Sequence, residues 1–277
     1  MVQVRDRQQP RARMTEPPVA PRRGRLSAGV LAKWVAVRLI PLGIFLAAWE
    51  LGAAALGAID IPGVGETAGA LVRELGTAEL WQAFAESNKA LAVGYIAALV
   101  IGIPLGLLIG RVGKADAMVQ GWLGVLLITP MAMIVPIIIM ALGFDLPARS
   151  LIVFIFVLPM IVVNCRTGVR TMPSDLIDMA RSFGANEGQL WRYTILPAAA
   201  PAVFAGLRIG IGRAVTGMII AEWLLAAVGI GALLLQYRGS FQSDALFAVV
   251  VLILFESLIL VQLVRIVERR LTGWANP

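Results

Sequence analysis

Between Lys89 and Arg111, and again between Asp116 and Asp145, the chain carries no charged residue. The hydrocarbon core of a bilayer takes about 20 consecutive apolar residues to cross as a helix, and residues 90–110 and 117–143 each supply that length. The whole chain has the same bias. It is 59% hydrophobic and only 15% charged, with mean hydropathy +0.83, where a soluble domain carries about 45–50% apolar and about 25% charged residues. These runs exclude a soluble globular fold. They imply an all-α membrane protein that crosses the bilayer several times.

The residue inventory removes several chemistries. With no histidine, Ser-His-Asp triads and His-ligated zinc or haem are impossible. The single cysteine, Cys165, cannot form an internal disulfide or a multi-thiolate metal site. A phosphate-cradling P-loop needs G-x-x-x-x-G-K-[ST]. The only lysines are Lys33, Lys89 and Lys114, and Gly113-Lys114 is followed by Ala115. The chain is therefore expected to be no enzyme and to hold no metal or cofactor, with any ATP bound elsewhere.

Residues 1–33 form a basic, proline-interrupted tail, with Arg5, Arg7, Arg22, Arg23 and Arg25 around Pro10, Pro17, Pro18 and Pro21. Such a segment is expected to be a disordered cytoplasmic tail. The remainder, 34–277, divides into about six spans: 35–57, 90–110, 117–143, 150–165, 203–228 and 245–264. The first is too long and starts too late for a cleaved signal peptide. The fourth is short, with Arg149 and Arg166 placed to snorkel from its ends, and Pro130 and Pro136 predict a kink in the third. Basic residues concentrate in the tail, in 111–116, in 166–202 and at the C-terminus. This distribution accounts for the net charge of +7 by membrane orientation rather than nucleic-acid binding, and it predicts both termini in the cytoplasm. The opposite-side segment 58–89 predicts a short amphipathic helix through Ala68, Leu71, Val72 and Leu75.

Small residues recur every fourth position in the second span, at Gly94, Ala98, Gly102, Gly106 and Gly110, and again at Gly206, Gly210 and Ala214. Such ridges let helix backbones approach closely in lipid; they point to packing, not to a function. Six ionisable residues fall within spans: Arg38, Glu50, Arg208, Arg213, Glu222 and Glu256. Arg213 is the deepest, and Arg213 and Glu222 lie nine residues apart, on opposite sides of one helix. Each must find a partner on another helix or another subunit. Glu50 and Glu256 are available acids. Arg213 and Glu222 are candidates to line or gate a path, or to hold the bundle as structural ion pairs.

The cytoplasmic loop 166–202 is too long and patterned for a simple connection. Ser174 is placed to cap a helix over 175–183, Gly184 fits a left-handed C-terminal position, and Asn186 with Gln189 opens a second short helix that Pro197 ends. Leu176, Met179 and Phe183 share a face. The hairpin either lies on the membrane surface or docks an apolar knob into a partner's groove.

Asp178-Met179-Ala180, Gly184 and Leu196-Pro197 resemble the "EAA" loop of binding-protein-dependent ABC importer permeases, E-A-A-x3-G-x9-I-x-L-P, with matching spacing. Asp178, Met179 and Thr194 depart mildly from it. Ile61-Pro62-Gly63, Gly102-Ile103-Pro104-Leu105-Gly106, Thr129-Pro130, Gly206-Leu207-Arg208, Ala221-Glu222, Gly229-Ile230-Gly231 and Glu268-Arg269-Arg270 resemble the nitrate/sulfonate/taurine-type branch. The resemblance implies a type I, MetI-like permease bundle in the inner membrane. It also implies a second permease copy, a separate ATP-binding cassette ATPase seated on the 175–195 hairpin, and an extracytoplasmic binding protein delivering a small, anionic solute such as a sulfonate, taurine or nitrate. The rival reading is an ion-coupled secondary transporter working without an ATPase, in which Glu222 and Glu256 relay protons.

Overall fold

The computed structural model describes residues 28–56, 61–225 and 228–273. Every regular element among them is helical. The expected tail lies largely outside the described residues, although helix α1 (Ala28–Leu56) begins inside the range assigned to it. There follow α2 (Val64–Leu75), α3 (Ala78–Arg111), α4 (Gly113–Ile128) and, after a single 3-10 turn, α5 (Val135–Leu142). The second half holds α6 (Leu146–Arg170), the short α7 (Ser174–Ser182) and α8 (Glu187–Leu190), α9 (Leu196–Leu225), α10 (Gly229–Gly239) and α11 (Ser243–Leu271).

Four unbroken helices are long and apolar enough to cross a membrane: α3, α6, α11 and the continuous stretch Glu187–Leu224. Helices α4 and α5 make a fifth if counted as one span broken by 87°, and the described apolar part of α1, Leu39–Ala55, is shorter. The break sits at Thr129-Pro130. Pro130 has no N–H to continue α4, and the residue before a proline is pushed out of helical geometry. Accordingly Thr129 is extended, with φ −62° and ψ 128°.

Two expectations from the sequence need correction. The second span begins at Ala78, not residue 90, because Thr77 Oγ1 accepts from the Leu80 N–H and starts the helix earlier. The fourth is a full 25-residue helix. Its arginines do not snorkel from its ends: Arg149 is buried within the helix and Arg166 is paired with Asp116 of α4. Charged residues there read as boundaries only because their partners lie far away in sequence. The expected short helix is α2, with Thr67 and Ala70 buried and Ala68, Val72 and Leu75 exposed.

The glycine positions show how the spans are held. A Cβ added at Gly106 would lie 2.6 Å from the Val162 carbonyl and 2.7 Å from Cys165 Cβ, and one at Gly110 2.7 Å from the Arg166 carbonyl. Gly94 meets Ser150 and Val153, and Gly102 meets Leu158 and Ile161. Helices α3 and α6 therefore run parallel with backbones in near contact. Helix α9 packs antiparallel against α6 and also touches α3: Gly168 faces Ala199 and Ala202, Gly206 faces Asn164, and Gly210 faces Val157 and Tyr95. Ala98 and Ala214 are fully buried in the same seams. Lipid offers no hydrophobic drive for helix association, so this close van der Waals fit is what holds the three together.

Replacing Gly106 by Leu should lower the thermal midpoint of the detergent-solubilised protein, in line with about 1–3 kcal/mol of overpacking. Gly121→Leu is the control and should have little effect, because a Cβ there meets nothing within 4 Å. Equal midpoints for the two variants would contradict the seam.

Candidate functional site

Three features carry functional chemistry, and they lie at successive levels of the bundle. The first is the hairpin after α6. Helix α7 starts at Ser174, which is its first residue and not its cap; no side chain caps it. Gly184 takes φ +79°, a left-handed position that glycine occupies without strain. Asn186 Oδ1 then accepts from the Gln189 N–H, and Gln189 Oε1 from the Asn186 N–H, both at 2.9 Å, a reciprocal capping box.

The hairpin divides its apolar residues. Ile177 and Ala180 pack toward the core, Leu176 is half-buried, and Leu190 is buried. Met179 is 53% exposed and Phe183 85% exposed, beside the exposed Asp178. Glu187 ties the hairpin together through Arg181 at 2.8 Å and reaches Arg111, the last residue of α3, at 3.9 Å. Being exposed, these pairs are worth at most about 1 kcal/mol.

The second short helix does not end at Pro197, contrary to expectation. It continues through a π-helical turn, Trp191–Ile195, into α9. There the Leu196 N–H donates to the Trp191 carbonyl, five residues back. A proline in a regular helix clashes with the carbonyl four residues earlier; the widened turn makes room for Pro197 without breaking the helix. Glu187–Leu224 is thus one helix of 38 residues, about 57 Å at 1.5 Å per residue.

Midway along that helix is the second feature. Arg213 is exposed and lines a cavity of about 260 Å³ with Thr129, Pro130 and Met131 at the α4–α5 break and with Phe156, Pro159 and Met160 of α6. It forms no ion pair with any described residue. Neither expected acid pairs with it: Glu50 Oε2 accepts from the Val64 N–H at 3.0 Å, and Glu256 is buried near Asn88 and Glu222. Arg208, on the same helix, pairs with Glu268 of α11. The side chain of Arg38 lies outside the described residues.

The third feature surrounds Glu222, which is fully buried. Its Oε2 accepts from Ser87 Oγ at 2.7 Å and from the Gly231 N–H at 3.0 Å, while Oε1 faces Arg149 Nη1 at 3.4 Å. Ser87 Oγ in turn accepts from the Ile230 N–H at 2.8 Å, and Arg149 also reaches the Glu86 carboxylate at 3.6 Å. The structure therefore separates Arg213 from Glu222: one borders a cavity, the other lies inside a buried polar cluster. Sequence reasoning missed Arg149 and Ser87. Arg149 sits at the edge of an apolar run, and a serine ten residues into a helix gives no signal.

Removing one member of a buried ion pair leaves a charge without compensation, at about 3–5 kcal/mol. Arg149→Ala should accordingly lower the thermal midpoint sharply, and adding Glu222→Gln should recover part of the loss. A double variant no more stable than the single would show that the pair carries no coupling.

Comparison with known proteins agrees with this geometry. The family model described as "Binding-protein-dependent transport system inner membrane component" matches residues 102–273. The riboflavin transport system permease protein RibX of Chloroflexus aurantiacus is 30% identical over 245 residues, covering 87% of this chain and 91% of that one. The taurine transport system permease protein TauC of Escherichia coli is 27% identical over 198 residues, 71% of this chain and 72% of its own. Inward-facing structures of the MetNI methionine ABC transporter share the fold, with TM-score 0.55 and 22% identity over 71% of this chain and 97% of that one. The chain belongs to the binding-protein-dependent transport system inner-membrane components, as the non-enzymatic, multi-pass permease subunit of an ABC importer.

Proposed function

We propose that two copies of this chain form a pore for a small anionic solute, with one ATPase subunit seated under each copy on Met179 and Phe183. The observation that carries the coupling part is the exposed apolar pair on an otherwise polar hairpin, joined without a break to a membrane span. A side chain such as Phe183 standing in water is a candidate to bury its ring in a partner's groove. In this reading Leu176, Ala180 and Gly184 shape the hairpin and Asp178 borders the docking face. The short α8, the π turn and Leu196-Pro197 join it to the span.

ATP stays on the ATPase, and this chain binds no cofactor and no nucleic acid. The basic segments at both ends and around the hairpin place the N- and C-termini in the cytoplasm. The binding protein then docks on the face formed by α2, α10 and the start of α11. Nucleotide closes the ATPase pair, the hairpins move together, and the bundles rock from inward- to outward-facing as rigid bodies.

The solute class rests on Arg213, a cation at membrane depth facing a cavity rather than an acid. An intramembrane charge without a protein partner is stabilised by water or by an anion. A sulfonate such as taurine, or nitrate, suits that position, and TauC is a taurine permease. The similarity to RibX keeps a flat heterocycle such as riboflavin as the second reading. An ion-coupled transporter working alone is set aside by membership of the importer family.

Phe183→Asp should weaken capture of the partner ATPase from mild detergent by at least about 30-fold, the equivalent of about 2 kcal/mol at an interface anchor. Retention at the parental level would contradict the docking face. With assembly verified, Arg213→Ala should cut uptake of radiolabelled taurine or nitrate about tenfold or more. Unchanged uptake would remove Arg213 from the path, and riboflavin uptake by the parent would favour the second reading.

A further inference from the structure

Glu222 stands on the last turns of the 38-residue helix that begins in the coupling hairpin. Its position there has a mechanical meaning. The first N–H groups of any helix lack partners within that helix. In α10 those groups are buried: Gly229, Ile230 and Gly231 have almost no exposure. Two of them are satisfied from outside the helix, Ile230 N–H by Ser87 Oγ and Gly231 N–H by Glu222 Oε2. Ser87 and Glu222 are themselves bonded to each other at 2.7 Å.

The fit leaves α10 little freedom. Gly229 has φ +80°. A Cβ on it would run into Glu222 Oε1 and lie 2.6 Å from Ser87 Oγ; one on Gly231 would collide with Glu222 Cβ and lie 2.8 Å from the Trp223 amide nitrogen. Helix α10 therefore sits directly on the end of α9. To shift relative to α9 it must break the Gly231 N–H bond to Glu222 and strip that donor from a buried carboxylate. The Ile230 N–H bond ties it to Ser87 of α3, which is itself bonded to Glu222.

From α10 the connections spread across that face. Tyr237 Oη donates to Glu74 Oε2 at 2.5 Å and Gln236 Nε2 to Glu79 Oε1 at 3.2 Å. Arg73 of α2 pairs with Asp244 at the start of α11. A displacement of α10 thus reaches α2 and, through it, α11. At the other end the rod is the hairpin itself, with Glu187 as its first residue.

We propose that Glu222 is a positioning residue at the output end of this rod: through Gly231 and Ser87 it makes α10 move with α9, so that displacement of the coupling hairpin is delivered to the opposite face of the bundle. This rests on the importer reading above, which supplies the movement at the hairpin. Arg149 keeps the carboxylate in place from α6.

The test uses the permease–ATPase complex in lipid nanodiscs, in a Cys165→Ala background, with a spin label on Arg238→Cys in α10 or on Gln189→Cys in the hairpin. Both sites are exposed, and Arg238 forms no ion pair with any described residue. Accessibility to a water-soluble nickel chelate is read with and without a non-hydrolysable ATP analogue. The parent should change at least about twofold at both sites. Glu222→Gln and Ser87→Ala should keep the hairpin response and ATPase binding but lose most of the response at 238. Ser87→Ala leaves the Arg149–Glu222 pair intact, so it separates loss of the linkage from loss of the fold. A parental response at 238 in both variants overturns the proposal, as does a parent that responds at 189 and not at 238. A parent that responds at neither site, or binds no ATPase, refutes the importer reading and the proposal with it.

Discussion

Close approach of backbone to backbone, where glycine leaves room, is the interaction on which the rest of this bundle depends. In lipid, apolar side chains gain nothing by leaving their surroundings, so helices hold together through dense contact and shared polar groups. The α3–α6 and α6–α9 seams supply that contact at Gly94, Gly102, Gly106, Gly110, Gly206 and Gly210. Two polar links reinforce them: Tyr95 Oη donates to the Leu207 carbonyl at 2.9 Å, and Arg149 pairs with Glu222. The result is a three-helix block that carries the hairpin at one end and α10 at the other.

Two of the acids within the spans, Glu50 and Glu222, share one task. Glu50, near the end of α1, accepts from the Val64 N–H at the start of α2. Glu222, near the end of α9, accepts from the Gly231 N–H at the start of α10. In each case a carboxylate on a long helix satisfies the orphan donors of the short helix that follows, where the positive end of the helix dipole favours it. Arg213 does not belong to this scheme. It is the ionisable side chain deep in a span that faces a cavity and no acid among the described residues, which is why the solute argument rests on it and not on Glu222.

Much of this was legible in the residues. Charge-free runs marked the spans, Thr129-Pro130 marked the break, and Gly184 and Asn186 with Gln189 marked the hairpin's turn and cap, because each acts through local backbone chemistry. Other features were hidden because they depend on distant partners. Arg149 looked like the edge of a span until Glu222, 73 positions away, gave it a reason to be buried. Pro197 looked like a helix end because a π turn leaves no residue signature. The amphipathic spacing predicts α2 but does not say that Thr67 and Ala70 are the residues it buries.

The account's central claim is that this chain is driven by nucleotide hydrolysed on another protein, through the face presented by Phe183. A photo-crosslinking amino acid placed at Phe183 in living cells, followed by mass-spectrometric identification of the adduct, tests it most directly. The captured protein should be an ATP-binding cassette ATPase, and the same probe at the exposed Met118 of α4 should capture none. Crosslinks from Phe183 to lipid alone, or to proteins without a nucleotide site, would contradict it.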